Sequence, residues 1–179
     1  MTYKVFIVED EYLIRDSLRN QLLQLSQELP ISYSGEAADG EMALATVTDM
    51  QPDIILTDIK MPFMDGLTFA KEARKRLPWT RIVFISGFDD FAYTKAAIQI
   101  QVDDYLLKPI KNNELAATLR KIVQLLDEQK QQSKVADNSD EMVLELKKNH
   151  FLNGLFKGEL SMTEALEQVA SFQGSFVGK

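Results

Sequence analysis

Carboxylates, a hydroxyl and a lysine stand at the ends of short apolar runs in this sequence. The set comprises Glu9, Asp10, Asp58, Ser86 and Lys108. Carboxylates that lie close together repel one another, and this repulsion requires a compensating cation. A site with few, hard oxygen ligands suits Mg²⁺, which prefers to keep several waters and to bind a phosphate. If the fold brings them together, these residue types predict chemistry on a phosphoryl group beside a divalent cation.

Alternating strand and helix patterns predict that the fold does so. Continuous apolar runs, typical of central strands in a parallel sheet, occupy 4–8, 53–56, 81–85 and 104–107, and a weaker alternating run occupies 31–37. Apolar residues at helical spacing lie between them, as in the sets Ile14 to Leu29 and Leu115 to Leu126. Strand and helix alternate five times, which predicts an α/β fold with a doubly wound parallel sheet and right-handed crossovers. Ligands of such sheets bind beyond the carboxyl ends of the strands, where these polar residues stand.

Each of these residues also has a plainer interpretation. A single aspartate after a strand is usually a helix cap or a turn residue, and an acidic run is usually a solvated helix start. Ser86 alone would be a turn residue and Lys108 alone a surface residue. The plain interpretations would all have to hold at one edge of one sheet, and this favours a common site.

The stretch "ILTDIKMPFMDG" (55–66) predicts a nucleophile at a strand tip. The strand ends in Asp58, and the Met-Pro turn after it keeps the backbone open, so that the carbonyl of Lys60 can face a metal ion. We expect Mg²⁺ to bridge the carboxylate and an incoming phosphoryl group, which Lys108 and the hydroxyl of Ser86 would also contact. The product would be an aspartyl phosphate.

Composition excludes several other classes of site. The chain has 179 residues, of which 45% are hydrophobic and 26% charged, as in a soluble globular protein. It has no cysteine, which excludes disulfides, thiol catalysis and zinc-thiolate sites. The net charge of -7 argues against nucleic-acid binding by this chain alone. Neither a signal peptide nor a membrane-length apolar run is evident, so we expect a cytoplasmic protein.

Four motifs resemble the receiver domain of bacterial response regulators. They are "VEDE", "DIKMPFMDG", "FISGF" and "DYLLKP", in the family's order, and the resemblance covers residues 1–126. It implies a flavodoxin-like (βα)5 fold with strand order 2-1-3-4-5. It also implies a phospho-accepting role in two-component signalling, with a sensor histidine kinase as partner, and no enzymatic activity beyond self-directed phosphoryl transfer and autodephosphorylation.

The resemblance also implies a role for each site residue. Asp58 matches the phospho-acceptor, Asp10 and Glu9 match the acidic pair around the metal, and Lys60 matches the position that gives a backbone carbonyl. Of the acidic pair, Asp10 is the expected direct ligand.

Further matches concern the response to phosphorylation. Ser86 matches the hydroxyl switch, Lys108 the lysine and Tyr105 the aromatic rotamer switch. The resemblance predicts a cis peptide between Lys108 and Pro109, although only about 5–6% of X-Pro bonds are cis. Ser86 and Tyr105 are expected to alter the face around the fifth strand and its flanking helices, which would give phosphorylation-linked homodimerisation. The helices after residue 140 are the rival dimer surface.

A narrower resemblance is to the YesN-like subfamily, in which the receiver precedes an AraC-type helix-turn-helix domain. "SGFDDFAYTKAAI" (86–98) and "FLNGLFKGELS" (151–161) carry it. Residues 100–101 are Ile-Gln where that subfamily usually has a glycine. No DNA-binding domain follows, so we expect a truncated chain, with a natural short form as the alternative. We expect a linker or helical extension at 127–141 and a helical inter-domain segment at 142–179.

Other functions fit the residues less well. A flavin binder would need a phosphate loop rich in glycine, serine and threonine after the first strand, where "EDEYLIR" stands. A haloacid-dehalogenase-type hydrolase needs an acid two residues after the nucleophile, where Lys60 stands. A stand-alone protein-interaction receiver without DNA-binding output remains the alternative function. His150, the single histidine, is expected to be a surface or packing residue.

Overall fold

A computed structural model of the chain describes residues 2–87 and 100–132. Residues Met1–Leu126 form one compact unit and Asp127–Lys179 form a second, of which 127–132 are described. The elements are β1 (Tyr3–Val8), α1 (Tyr12–Leu25), β2 (Ile31–Ala37), α2 (Gly40–Met50), β3 (Ile54–Asp58), α3 (Gly66–Arg76), β4 (Arg81–Ser86) and β5 (Asp104–Leu107). Residues 112–132 form a further helix.

The five strands form one parallel sheet in the order β2-β1-β3-β4-β5. This order confirms the predicted doubly wound, flavodoxin-like fold. The strand order reverses between β1 and β3, and the carboxyl ends of these two strands lie side by side, with Val8 opposite Thr57. Ligand sites of doubly wound sheets lie at such a reversal.

The central strands are buried throughout because apolar residues cover both faces of the sheet. One core packs the sheet against α2 and α3, with Phe6, Phe69 and Phe84 among its largest members. The other packs it against α1 and residues 112–126 of the last described helix, with Leu18 and Leu119 fully buried. Each such side chain stabilises the fold by about 1.5–3 kcal/mol, so these two cores hold the strand tips in place.

The ends of several elements differ from the sequence pattern. β3 and β4 extend to Asp58 and Ser86, so these two residues are the last of their strands and lie inside the sheet's hydrogen-bonding pattern. α1 ends at Leu25, earlier than the apolar spacing predicts, yet Leu29 still packs against the core. The spacing of apolar residues indicates which side chains are buried and not where the helix ends. Here the turn after α1 also covers the core.

The C-terminal predictions lie mostly outside the described residues. Residues 127–132 continue the last described helix. The rest of the predicted 127–141 extension, the 142–179 segment and His150 are outside the described residues. In the part of the chain that the structure describes, no helix is long and apolar enough to cross a membrane.

Candidate functional site

The carboxyl edge of β1 and β3 brings three carboxylates together. Glu9 and Asp10 follow β1, Asp58 ends β3, and one ligand oxygen from each lies within 4.8 Å of the other two. Glu9 and Asp58 are buried, whereas Asp10 is not. Three acids so close repel one another, so the site needs positive charge.

Lys108 supplies part of that charge. Its Nζ lies 2.8 Å from Oδ2 of Asp58 and 2.9 Å from Oε2 of Glu9, and 3.7 Å from Oε1 of Glu11. The contact with Asp58 is a hydrogen bond. Within the described residues no group donates an aligned hydrogen bond to Glu9 Oε2, so the contact there is electrostatic. The end of β5 aims the lysine, because the Lys108 amide donates to the carbonyl of Ser86 at 2.8 Å.

Asp58 is held by both of its carboxylate oxygens. Oδ1 accepts hydrogen bonds from the amides of Ile59 (2.6 Å) and Lys60 (3.3 Å), and Oδ2 accepts from Lys108. The side chain of Lys60 is exposed. The following loop closes tightly, since the Gly66 amide donates to the carbonyl of Ile59 at 2.9 Å. These bonds fix the direction in which the carboxylate of Asp58 presents its oxygens.

Glycine is required where this loop returns to the strand. A Cβ at Gly66 would lie 1.9 Å from the carbonyl oxygen of Asp58, which is closer than any non-bonded contact. The glycine that ends the loop "DIKMPFMDG" is therefore required for steric reasons. The adjoining Asp65 caps α3 by accepting from the amide of Thr68 at 2.7 Å.

Burial changes the acidity of the two groups inside the cluster. Burial raises the pKa of Glu9 to about 7; the Lys108 ammonium opposes this rise and the charge of Asp58 adds to it. Burial would lower the pKa of Lys108, but its hydrogen bond to Asp58 and its close contact with the carboxylate of Glu9 outweigh that effect and raise the pKa above the usual value. The lysine therefore stays charged.

Ser86 and Tyr105 lie on the neighbouring strands β4 and β5. Asp58 pairs with Ile85, so buried Ser86 lies one residue beyond the partner of the acid. Tyr105 pairs with Phe84 and is partly buried against the core on the α2 and α3 side. The Lys108–Pro109 peptide is cis, which confirms the prediction.

Sequence reasoning missed two contributors to the site, Arg15 and its partner Glu36. Arg15 donates from Nη1 to the carbonyls of Glu9 (2.5 Å) and Asp10 (3.3 Å), and from Nε to Glu36 at 3.3 Å. The position of Arg15, four residues after Glu11, signals a helical ion pair, but its actual partners are backbone carbonyls and an acid of β2.

The residues present fit a hard divalent cation. Three carboxylates offer converging oxygens, one of them open to solvent, which suits an ion that keeps several waters. Lys108 already lies against Glu9 and Asp58, and leaves the carboxylate of Asp10 as the most accessible of the three.

Comparison with known proteins identifies the family. Residues 5–120 match the model of the response regulator receiver domain. The chain belongs to this family. It is a receiver domain of a two-component response regulator, which confirms the sequence resemblance, and members of this family are typically signal transducers and not enzymes.

Its similarity extends to transcriptional regulators. The chain is 34% identical over 127 residues to the uncharacterized transcriptional regulatory protein YesN of Bacillus subtilis (strain 168), which covers 71% of this chain and 34% of that protein. It is 35% identical over 131 residues to the transcriptional regulatory protein HptR of Staphylococcus aureus (strain N315), covering 73% of this chain and 50% of that protein. The chain thus spans half or less of the length of these curated relatives.

A solved receiver shares the fold. The REC domain of AraT, a response regulator from Geobacillus stearothermophilus, superposes with a TM-score of 0.68 at 38% identity, covering 73% of this chain and 99% of that domain.

Proposed function

We propose that the chain accepts a phosphoryl group on Asp58 in a Mg²⁺-dependent reaction. The observation that carries this proposal is the setting of Asp58. Its carboxylate is fixed between two backbone amides and the ammonium of Lys108, within reach of two further carboxylates. A nucleophile so held needs no reorientation when the donor arrives.

The transfer uses the residues already described. A carboxylate oxygen of Asp58 forms a bond to phosphorus while the bond from phosphorus to the donor's leaving group breaks, and the leaving group departs with the electron pair. Lys108 remains positively charged and stabilises the phosphoryl oxygens. Water later attacks phosphorus, which regenerates the carboxylate and releases phosphate; this is the autodephosphorylation that we expect.

Glu9, Asp10, Asp58 and the backbone carbonyl of Lys60 would hold the Mg²⁺ ion. When bound, the ion supplies charge neutralisation for the transferring phosphoryl group.

Ser86 and Tyr105 would carry the signal from the acid. The aspartyl phosphate adds about two negative charges and three acceptor oxygens. The hydroxyl of Ser86 would move to donate to one of them, and Tyr105 would turn into the space behind it. Their places on adjacent strands, with Tyr105 two residues before the partner of Ser86, make this path short.

We further propose that the receiver controls an AraC-type DNA-binding domain within a longer cytoplasmic protein. Residues 1–126 would be the receiver, 127–141 a linker or helical extension and 142–179 a helical inter-domain segment. Similarity to proteins named transcriptional regulators supports this output. The phosphodonor would be a sensor histidine kinase, and the phosphorylated receiver would form homodimers.

Intact-mass spectrometry tests the phosphoryl transfer. Incubation with acetyl phosphate and Mg²⁺ should add one phosphoryl group to the wild type, and none to an Asp58→Asn variant or in the presence of EDTA. An Asp49→Asn variant, which changes an exposed aspartate of α2, is the control and should react as the wild type does. An Asp58→Asn variant that gains the phosphoryl group at the wild-type rate would refute the assignment of Asp58 as the acceptor.

A further inference from the structure

Arg15 contacts the acidic loop through the backbone and not through its carboxylates. The Nη1 atom lies 2.5 Å from the carbonyl oxygen of Glu9 and 3.3 Å from that of Asp10. The side chain is only 14% exposed, so these bonds are shielded from water. One guanidinium therefore holds the two consecutive peptide groups from which two of the three clustered carboxylates project.

The other side of the guanidinium is anchored to β2. Its Nε donates to Oε1 of Glu36, which also accepts from Arg19 at 3.2 Å, while Oε2 of Glu36 accepts from the hydroxyl of Tyr33 at 3.0 Å. Glu36 pairs with Ile7 in the sheet, so the anchor lies beside the end of β1. The acidic loop is also tied to this strand by the Glu9 amide, which donates to the carbonyl of Ala37 at 3.0 Å.

We propose that Arg15 is a positioning residue for the divalent-cation site, because it clamps the Glu9 and Asp10 carbonyls against Glu36 of β2. This inference rests on the proposed Mg²⁺-dependent function. Mutual repulsion of the three carboxylates favours a loop that spreads apart in the absence of the cation. The clamp opposes this spreading, so that the cation meets carboxylates already gathered.

Arginine is the side chain that this geometry needs. Its planar fork carries five donors and can bond two carbonyls and a carboxylate at once, whereas a lysine ammonium is a point charge on a flexible stem. Arg15→Lys therefore keeps the charge near the loop and removes the clamp. Residues that orient metal ligands typically contribute about 10–100-fold to metal affinity, and we expect an effect at the lower end because Arg15 holds backbone and not a ligand atom.

Direct cation binding is the first measurement. Isothermal titration calorimetry with Mg²⁺, in the absence of any phosphodonor, should show a dissociation constant about 10-fold higher for Arg15→Lys than for the wild type. Glu36→Gln should shift it in the same direction by a smaller factor, because the anchor is weakened while the clamp remains.

Arg19→Lys is the matched control. Arg19 lies one turn later on α1, where it bonds the same Glu36 and Asp16 of its own helix instead of the acidic loop. Its variant should bind Mg²⁺ as the wild type does, even where thermal unfolding shows an equal loss of stability in the two variants. Unchanged affinity in Arg15→Lys, or equal loss in both lysine variants, would overturn the proposal.

The rate of phosphorylation separates this inference from the proposed function. With acetyl phosphate, Arg15→Lys should need about 10-fold more Mg²⁺ for half-maximal rate and reach the wild-type rate at saturation. If the wild type incorporates phosphate and the variant matches it at every Mg²⁺ concentration, the positioning role fails and the proposed function stands. If the wild type binds Mg²⁺ but never gains a phosphoryl group, the proposed function fails, and the binding comparison alone decides the role of Arg15.

Discussion

Nζ of Lys108 lies 2.9 Å from Oε2 of Glu9, a carboxylate whose side chain has no exposed surface. The lysine provides the positive charge that a buried acid requires, yet the pKa of Glu9 is still raised to about 7 because the loss of hydration outweighs the ion pair. Near neutral pH, the proton on Glu9 and a cation in the cluster are alternative ways to limit the same negative charge.

Metal-free stability should therefore depend on pH through Glu9. The folded pKa lies above the ordinary value of 4.5, so stability from this group is fully present below pH 4.5 and is lost as the pH rises through about 7. Urea denaturation in EDTA at pH 5 and pH 8 should show the wild type losing on the order of 2 kcal/mol relative to Glu9→Gln. Parallel pH profiles for the two proteins would contradict the burial argument.

Removing the ammonium of Lys108 should lower the stability of the metal-free protein and raise its affinity for Mg²⁺. Lys108→Met leaves Glu9 and Asp58 without their cation, so the metal-free protein should lose about 1–3 kcal/mol at pH 8. Mg²⁺ should bind several-fold more tightly by calorimetry, since it no longer meets a neighbouring ammonium. Lys111→Met changes an exposed lysine nearby and should alter neither quantity. Weaker Mg²⁺ binding in Lys108→Met would show that the lysine organises the acids more than it competes with the cation.

Sequence reasoning could place those site residues whose positions follow from their immediate neighbours in the chain. Apolar runs mark the strands, and residues directly after a run lie at the carboxyl edge, so Glu9, Asp10, Asp58 and Lys108 could be placed from spacing alone. The Arg15–Glu36 contact could not, because it depends on the register of β2, a half-buried edge strand with a shift beside Gly35. Pairing across 21 residues leaves no local pattern in the chain.

Beryllofluoride, a phosphoryl mimic, should promote self-association. Analytical ultracentrifugation with Mg²⁺ should show a larger dimer fraction with the mimic than without it, through a coupling of about 1–3 kcal/mol. A variant that ends at residue 137 tests the rival surface, and loss of its dimer would place the contact in the extension. Equal association with and without the mimic would mean that the signal is not passed by dimerisation of this chain.

The Gly66 backbone should tolerate no side chain. In Gly66→Ala the new Cβ must displace the carbonyl of Asp58, so we expect a loss of more than about 2 kcal/mol and slower phosphorylation. Gly87→Ala is the control at another strand tip, where the nearest atom to a Cβ is the Lys108 Cδ at 4.0 Å. Equal stability of the two variants in urea would contradict the tight closure of the loop.

Gln101 precedes β5 and has a left-handed backbone conformation. Its φ is 58, the left-handed region that costs a residue with a Cβ about 1–2 kcal/mol. The side chain is exposed, and the bond that Arg74 donates is to the Gln101 carbonyl, which any residue supplies. Gln101→Gly should therefore raise the free energy of unfolding by about 0.5–1 kcal/mol, the relief of strain being offset in part by the entropy of the unfolded glycine.

Gln101→Ala separates backbone strain from loss of the side chain. Alanine keeps the Cβ and hence the strain, so this variant should be no more stable than the wild type in urea denaturation. If alanine stabilises as much as glycine, the glutamine side chain itself is unfavourable. If glycine gives no gain, the turn into β5 does not store strain at residue 101. A gain with glycine alone would show that the left-handed backbone at residue 101 stores strain that a Cβ cannot relieve.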